Sequence, residues 1–164
     1  ADEALEQFSR LGGDVVVKPV FGAEGRGILR VSDPDMALRA FRTLERIDAV
    51  LYLQKYVEHE GFDIRAMVLD GRILGAMRRV SERDFRTNVA RDARAESCSL
   101  NDTETELALS ASQTVGTRFA GVDLLYGRDG RCYVIEVNGV PGWRAFQAAT
   151  GCDVAARVIE SLER

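Results

Sequence analysis

The sequence predicts an α+β fold in which antiparallel hairpins lie beside amphipathic helices, and three observations carry that prediction. Two Asp-Gly pairs, Asp70-Gly71 and Asp129-Gly130, each separate two runs of strand-forming residues, which is the pattern of a tight β-hairpin. Stretches with helical periodicity flank these hairpins. Asn101 followed by Glu104 is a capping-box signature, which marks where one of those helices begins.

The composition is that of a folded globular protein. The chain has 164 residues, of which 46% are hydrophobic and 29% charged, enough for one domain or two small lobes with a buried core. No apolar run is long enough to span a membrane. The formal net charge of −4 argues against a dedicated nucleic-acid binder.

The cysteine and histidine content narrows the chemistry further. Three cysteines without C-x-x-C spacing and a single histidine, His59, indicate neither a zinc site nor a disulfide framework nor histidine-based catalysis. With no signal peptide at the N-terminus, a cytoplasmic location is expected. The chain opens at Ala1 without an initiator methionine, so we expect a piece of a longer protein or a trimmed one.

The first part of the chain predicts a small lobe made of strand, glycine loop, strand and helix. A helix over residues 1–10 is stopped by two glycines, and strands are expected over residues 14–19 and 28–31 around a glycine-rich loop at residues 21–27. Ser32 or Asp33 can cap the next helix. The residues of that helix expected to face the core are Ala37, Phe41, Leu44 and Ile47.

The rest of the chain predicts a larger lobe. A strand over residues 49–57 leads into a hinge, and we place the boundary of the lobes there, between residues 1–53 and 54–164. Two hairpins and a polar loop follow, with strands over residues 63–69, 72–80, 121–127 and 131–138 and the loop over residues 81–99. The remaining helices are expected to bury Leu107, Ala108, Ala111, Val115, Val154, Val158 and Leu162.

The second hairpin carries a candidate metal site. A turn at Asp129-Gly130 places Asp123 directly opposite Glu136, with Asn138 on the same face. Two facing carboxylates repel, and a hard cation would relieve that repulsion. Carboxylate and amide oxygens suit Mg²⁺ or Mn²⁺. The alternative is a solvated sheet face with incidental carboxylates.

The glycine-rich loop is a candidate phosphate-binding element. Gly22, Gly25 and Gly27 allow backbone N–H groups to approach a phosphate closely, and Lys18 just before the loop can reach it as a point charge. The loop is not a P-loop, because no Lys-Ser/Thr follows and the next element is a strand. The alternatives are a simple turn and an ordinary surface lysine.

The first hairpin carries a set of charged residues. Counting back from the turn at Asp70-Gly71 sets Asp63 opposite Arg78, so that Asp63, Arg65 and Arg78 share one face. Arginine is the preferred partner of phosphates and carboxylates, so this face could bind an anion. The alternative is a solvated, salt-bridged surface.

These motifs together resemble the ATP-grasp superfamily. The resemblance rests on V-K-P at residues 17–19, G-A-E-G-R-G-I at 22–28, L-Q-K-Y-V at 53–57 and G-F-D-I-R at 61–65. R-R at 78–79, D-F-R-T-N at 84–88, G-V-D at 121–123 and E-V-N-G-V-P-G at 136–142 are similar to the RimK-like branch. Members of that branch are α-L-glutamate ligases that act on a ribosomal protein or on a pterin or deazaflavin coenzyme.

The resemblance implies an ATP-grasp fold of two lobes, with the family's N-terminal domain absent from this sequence, and it implies residue roles. Lys18 would contact the nucleotide phosphates and Asp63 would lie near the ribose. Arg78 would lie near the transferred phosphoryl group or acyl phosphate, with Arg65 as a second catalytic arginine. The other nucleotide contacts would be Gly25, Gly27, Gln54, Lys55, Tyr56, Val57, Arg86, Thr87 and Asn88, and the Mg²⁺ (or Mn²⁺) ligands would be Asp123, Glu136 and Asn138.

The implied activity is ATP-dependent ligation of a carboxylate to an amine through an acyl phosphate. Its partners would be a nucleotide, a glutamate-like amino acid and a carboxylate acceptor, without nucleic acid or membrane, and a homo-oligomer stays open. Residues 89–94 depart from the ribosomal-protein type, and residues 141–144 are more similar to the branch for tetrahydromethanopterin-type coenzymes. Two other hypotheses are a nucleotide-binding module without turnover and a plain structural domain.

Overall fold

The computed structural model describes residues 1–19, 27–81 and 94–163. The chain divides into two compact units, Ala1–Glu58 and His59–Arg164, each with one antiparallel sheet in its described residues. This division falls after residue 58, and Gln54 and Lys55 are paired with the first strand of the first unit, while the expected lobe boundary after residue 53 stays a prediction. In the described part of the chain, no helix is both long and apolar enough to cross a membrane.

The first unit packs helices against a small sheet. Its elements are α1 (Asp2–Arg10), β1 (Val15–Pro19), β2 (Leu29–Val31), α2 (Pro34–Glu45) and β3 (Leu51–Lys55). Among the described residues the strand order is β2-β1-β3, so β1 lies at the centre of the sheet. The core consists of Phe8, Val15, Val17, Val31, Ala37 and Phe41.

The cap and the buried face of α2 follow from its sequence. Asp33 Oδ1 accepts a hydrogen bond from the Met36 backbone N–H at 2.8 Å, which confirms the expected N-cap. Ala37 and Phe41 are fully buried as expected. Ile47 is 70% exposed instead, because the helix ends at Glu45 and the residue lies beyond it.

The second unit is built on a larger sheet. Its elements are β4 (Phe62–Leu69), β5 (Arg72–Val80), β6 (Arg94–Cys98), α3 (Asp102–Thr114), β7 (Phe119–Tyr126), β8 (Cys132–Asn138), α4 (Arg144–Thr150) and α5 (Val154–Leu162). Over the described residues the strand order is β6-β5-β4-β7-β8. Ala108 of α3 packs with Ala66 and Val122, and Phe146 of α4 and Val154 of α5 pack with Met67, so the helices cover opposite faces.

Several details of the second unit differ from the expectation. Residues 94–98, expected in a loop, form β6, a polar strand at the edge of the sheet that lacks the usual β-forming residues. The short helix α4 was not expected, since two turns give little periodicity. Val115 and Leu162 are exposed, because each lies at the end of its helix, whereas the capping box of Asn101 and Glu104 is confirmed.

A β-bulge changes the register of the first hairpin. Leu69 pairs with Arg72 across Asp70-Gly71 as expected, and both turn residues have positive φ, 48° and 70°. The register then shifts between Met67 and Val68, where β5 carries one extra residue, Leu74. Asp63 therefore pairs with Arg79, and the expected pairing of Asp63 with Arg78 is wrong.

The second hairpin also contains a bulge, with a different result. Tyr126 pairs with Cys132, one residue out of step with a two-residue turn at Asp129-Gly130. An extra residue in β8, Ile135, shifts the register back between Leu124 and Asp123. Asp123 consequently pairs with Glu136, which confirms the expected opposition of these two residues.

Candidate functional site

One face of the larger sheet carries a buried group of two arginines and two aspartates, which we call the Arg–Asp cluster: Asp63, Arg65, Arg79 and Asp123. Asp63 pairs in register with Arg79, and Arg65 pairs with Asp123. Because opposed residues of neighbouring strands project to the same side, the four side chains share one face. Both aspartates are 1% exposed, and the Arg65 side chain is 11% exposed.

The cluster is held by two forked ion pairs, and a further contact from Arg79 links one pair to the other. Arg65 donates from Nε to Asp123 Oδ1 and from Nη2 to Asp123 Oδ2, both at 2.7 Å. Arg79 donates from Nε and Nη2 to the two oxygens of Asp63, at 2.7 and 2.5 Å. Arg79 Nη2 also lies 2.9 Å from Asp123 Oδ2. Arg79 therefore joins carboxylates from two different strands.

The electrostatics of the cluster keep Asp123 ionised. Burial disfavours the charged carboxylate, but the charge of Arg79 and the hydrogen bonds from Arg65 outweigh it and hold the pKa of Asp123 below its usual value. Burial likewise disfavours the charge of Arg79, yet Asp123 and Asp63 raise the pKa of Arg79 above its usual value. The two arginines also offset the repulsion between Asp123 and Glu136, so that repulsion alone does not require a metal ion.

Asp123 of the cluster and two neighbouring oxygen-bearing side chains are suited to a divalent cation. Asp123 pairs with Glu136, and Gly121 pairs with Asn138, so Asp123, Glu136 and Asn138 share the face of the cluster. Glu136 is exposed, and Asn138 Oδ1 accepts the Val140 N–H at 2.9 Å. Among the described residues, Asp123 accepts three N–H contacts on its roughly four lone-pair positions, which leaves room on Oδ1.

The chemistry of these donors fits Mg²⁺, which binds through a few protein oxygens and otherwise through water and phosphates. Within residues 1–19, 27–81 and 94–163, no group of three or more His, Cys, Asp or Glu side chains could hold a metal ion. A three-residue set on this face therefore needs the amide oxygen of Asn138. The assignment of Asp123, Glu136 and Asn138 to a metal stays a prediction.

The structure corrects the expected position of Arg78. It lies on the opposite face from Arg65, is exposed, and places its guanidinium carbon 3.8 Å from the centre of the Phe62 ring. The arginine that joins the cluster is Arg79, which the sequence reasoning passed over. Gly75 was the available signal, since a glycine inside a strand pattern often marks a bulge.

Gly121 lies on the face of the cluster, where a side chain would not fit. A Cβ at this position would lie 2.8 Å from Pro141 Cβ and 3.6 Å from the Cδ and Nε atoms of Arg65. Gly121→Ala is therefore expected to displace Pro141 and to lower the free energy of unfolding by about 1–3 kcal/mol.

Urea denaturation of this variant and of Gly142→Ala checks the expectation. Gly142 is a matched control, because a Cβ there meets nothing within 4 Å. Equal stability of the two variants would contradict the close packing of Gly121 against Pro141.

The nucleotide residues expected in the first unit lie on and after its sheet. Lys18 in β1 is half-buried and pairs with Tyr52. Gln54 pairs with Val16, so Gln54 shares the face of Lys18, whereas Lys55 projects to the other side. Tyr56 and Val57 follow β3 directly.

The remaining expected nucleotide residues are distributed as follows. Asp63 has both carboxylate oxygens bound by Arg79, so a contact with a ribose would be shared with that arginine. Gly27 is described and has φ 79°, a conformation that favours glycine. The expected residues that lie outside the described part of the chain are Gly25, Arg86, Thr87 and Asn88.

Comparison with solved structures defines the class of fold. The chain superposes with a TM-score of 0.74 on the ATP-grasp ligase PsnB in complex with a minimal precursor, Mg and ADP, at 28% identity over 99% of this chain and 50% of that one. The TM-score is 0.68 to D-alanine–D-alanine ligase from Bacillus anthracis in complex with ATP, at 25% identity over 93% of this chain and 50% of that one. The fold is thus an ATP-grasp fold, as expected.

The chain belongs to the RimK-like ATP-grasp domain family, whose model matches residues 1–162. It is 37% identical over 163 residues to a "Probable alpha-L-glutamate ligase" of Rhodopirellula baltica, covering 98% of this chain and 40% of that protein. It is 34% identical over 152 residues to the "Tetrahydromethanopterin:alpha-L-glutamate ligase" of Methanococcus maripaludis, covering 90% of this chain and 51% of that protein. The chain therefore spans about half the length of these relatives.

Proposed function

We propose that the protein is an ATP-dependent ligase that joins a carboxylate to the amine of glutamate or a similar amino acid. The observation that carries this proposal is the register of β7 and β8, which brings Glu136 and Asn138 to the same face as Asp123 of the Arg–Asp cluster. Relatives named as α-L-glutamate ligases support the choice of amino acid. A structural neighbour in complex with Mg and ADP supports the choice of cofactors.

The proposed reaction has two steps, and atoms balance in each. An oxygen of the acceptor carboxylate attacks the γ-phosphorus of ATP, the bond to the bridging oxygen breaks, and ADP leaves. The product is an acyl phosphate. The amine of the amino acid then attacks the acyl carbon, inorganic phosphate leaves, and the amine loses a proton as the amide forms.

The residues of this chain act by positioning charge. Asp123, Glu136 and Asn138 would hold Mg²⁺, which neutralises charge on the phosphate oxygens when bound. Lys18 would contact the phosphates, as would the backbone at Gly27, while Gly25 lies outside the described residues. The hinge at residues 54–57 would bind adenine through its backbone. No side chain acts as a covalent nucleophile in this scheme.

Within the second unit, Arg65 is the arginine we propose for the reacting phosphoryl group. It lies on the same face as Asp123, and its fork to that carboxylate fixes where its guanidinium stands. Arg78, which we expected in this role, projects to the other face of the sheet. We therefore assign the role to Arg65, the other arginine expected to be catalytic from the sequence.

A second candidate is a module that binds the nucleotide without turnover. It is favoured by the length of the match, because 98 to 99% of the chain is matched but only 40 to 55% of each relative. In that case the acceptor would be bound by the region that the relatives have outside the match.

Release of ADP separates these candidates. The protein is incubated with ATP, Mg²⁺ and glutamate, with and without a tetrahydromethanopterin-type coenzyme as acceptor. If the protein is a ligase, ADP release should depend on the acceptor. Hydroxylamine should then trap the acyl phosphate when glutamate is omitted. Tight binding of Mg·ATP without acceptor-dependent release supports the module. An unchanged melting temperature with Mg·ATP would contradict both.

A further inference from the structure

Three residues in the first unit make a closed set of contacts, which we call the hinge triangle: Asp14, Arg30 and Tyr56. Arg30 donates from Nε to Asp14 Oδ1 at 2.9 Å and from Nη2 to Asp14 Oδ2 at 2.6 Å. The Arg30 guanidinium carbon lies 3.5 Å from the centre of the Tyr56 ring. The Tyr56 backbone N–H donates to the Asp14 carbonyl oxygen at 2.9 Å.

The residues of the hinge triangle lie in or directly next to the three described strands of the small sheet. Arg30 lies in β2 and pairs with Val16 of β1, while Asp14 immediately precedes β1. Tyr56 immediately follows β3, the strand on the other side of β1. Arg30 thus extends across the central strand and contacts Tyr56, the first residue of the proposed hinge that lies beyond the sheet.

These contacts restrict the position of the Tyr56 side chain more than they stabilise the fold. The side chains of Arg30 and Asp14 are 40% and 34% exposed, and an ion pair so exposed adds little stability by itself. A forked pair combined with stacking, however, leaves the guanidinium little freedom to rotate. Because Arg30 is fixed by Asp14, it covers one face of the Tyr56 ring and restricts the position of that side chain.

We propose that Arg30 is a positioning residue for recognition of adenine, which it serves through Tyr56. This inference rests on the proposed function, in which the backbone of residues 54–57 binds the base. With Tyr56 held by both its ring and its N–H, the backbone from Tyr56 to Val57 keeps one orientation before the nucleotide arrives. Lys18, the proposed phosphate contact, takes part in none of the contacts that define the triangle.

Because Arg30 acts on the base through Tyr56, a selective effect on nucleotide binding is expected. Arg30→Ala should weaken binding of Mg·ADP by about tenfold, whereas binding of Mg·tripolyphosphate, which has no base, should stay within about twofold of the wild type. Isothermal titration calorimetry with each probe measures both dissociation constants. Arg30→Lys keeps the charge but loses the forked pair with Asp14. Its affinity for Mg·ADP should lie between the affinities of the wild type and of Arg30→Ala.

Two further variants complete the test. Arg39→Ala is the matched control, since Arg39 and Asp35 form an exposed ion pair at 2.9 Å on α2, and it should bind both probes as the wild type does. Tyr56→Leu removes the ring and should reproduce the selective loss of Mg·ADP affinity. The melting temperature of each variant shows that the fold is retained.

The outcomes separate the inference from the proposed function. A loss that is equal for Mg·ADP and Mg·tripolyphosphate in Arg30→Ala would give Arg30 a general structural role and overturn the inference. Unchanged affinity for both probes would overturn it as well. In these two cases the wild type still binds Mg·ADP, and the proposed function stands. If the wild type binds no Mg·ADP, the proposed function fails and the inference fails with it.

Discussion

Arg79→Met should lower the free energy of unfolding by about 3–5 kcal/mol, because it removes the shared partner of two buried carboxylates. Asp63 loses its fork to Arg79, and among the described residues Asp123 keeps its fork from Arg65. The methionine side chain fills most of the space, so the loss reports on uncompensated charge rather than on a cavity. Equilibrium unfolding in urea measures the effect.

Arg78→Met is the control, since it makes the same change one residue away on the opposite face. Arg78 is exposed and stacks on Phe62, so its loss should cost no more than about 1 kcal/mol. Equal losses in the two variants would contradict the central position of Arg79. Adding Asp63→Asn to Arg79→Met should recover part of the lost stability, because one of the two buried negative charges that Arg79 offsets is then removed.

Glu136→Gln should reduce Mg²⁺-dependent turnover of ATP by at least about 100-fold while the fold stays intact. The substitution removes a charged oxygen donor from the proposed metal site, and Glu136 is exposed, so its loss leaves no buried group without a partner. Initial rates of ADP release across a series of Mg²⁺ concentrations give the effect on turnover. Thermal unfolding without Mg²⁺ should match the wild type.

Asp123→Asn provides the contrast. It should abolish the same turnover and also destabilise the protein, because a neutral amide in place of the carboxylate leaves the charges of Arg65 and Arg79 poorly matched. The two variants together separate a role in metal binding from a role in the Arg–Asp cluster. Wild-type turnover in Glu136→Gln would remove the metal assignment, however stable the protein is.

The two hairpins show when counting residues back from a turn predicts the cross-strand pairs correctly. The turn at Asp70-Gly71 was predicted correctly, yet the extra residue at Leu74 put Arg79 rather than Arg78 beside Arg65. Because side chains alternate, a shift of one residue moves every later side chain to the other face. In the second hairpin, the error at the turn and the bulge at Ile135 cancelled, so Asp123 and Glu136 were paired correctly.

Other features left no readable signal in the sequence. The edge strand β6 is polar, so neither alternation nor β-forming residues distinguished it from a loop. Arg30 belongs to no motif, and its contacts with Asp14 and Tyr56 depend on how three strands assemble. Tertiary assembly decides such contacts, whereas local patterns decide caps and turns such as those at Asp33 and Asp70-Gly71.

The bulge at Ile135 has a consequence for variation among related chains. It lies between the turn at residues 127–131 and the pair of Asp123 with Glu136, and it absorbs the offset that the turn introduces. An insertion confined to the tip of this hairpin lengthens the turn and should leave the strand pairs, the acidic pair included, in step. The tip is a tolerant place for indels or for a fused tag, and deletion of Ile135 should remove the bulge while Glu136, then next to Val134, stays opposite Asp123.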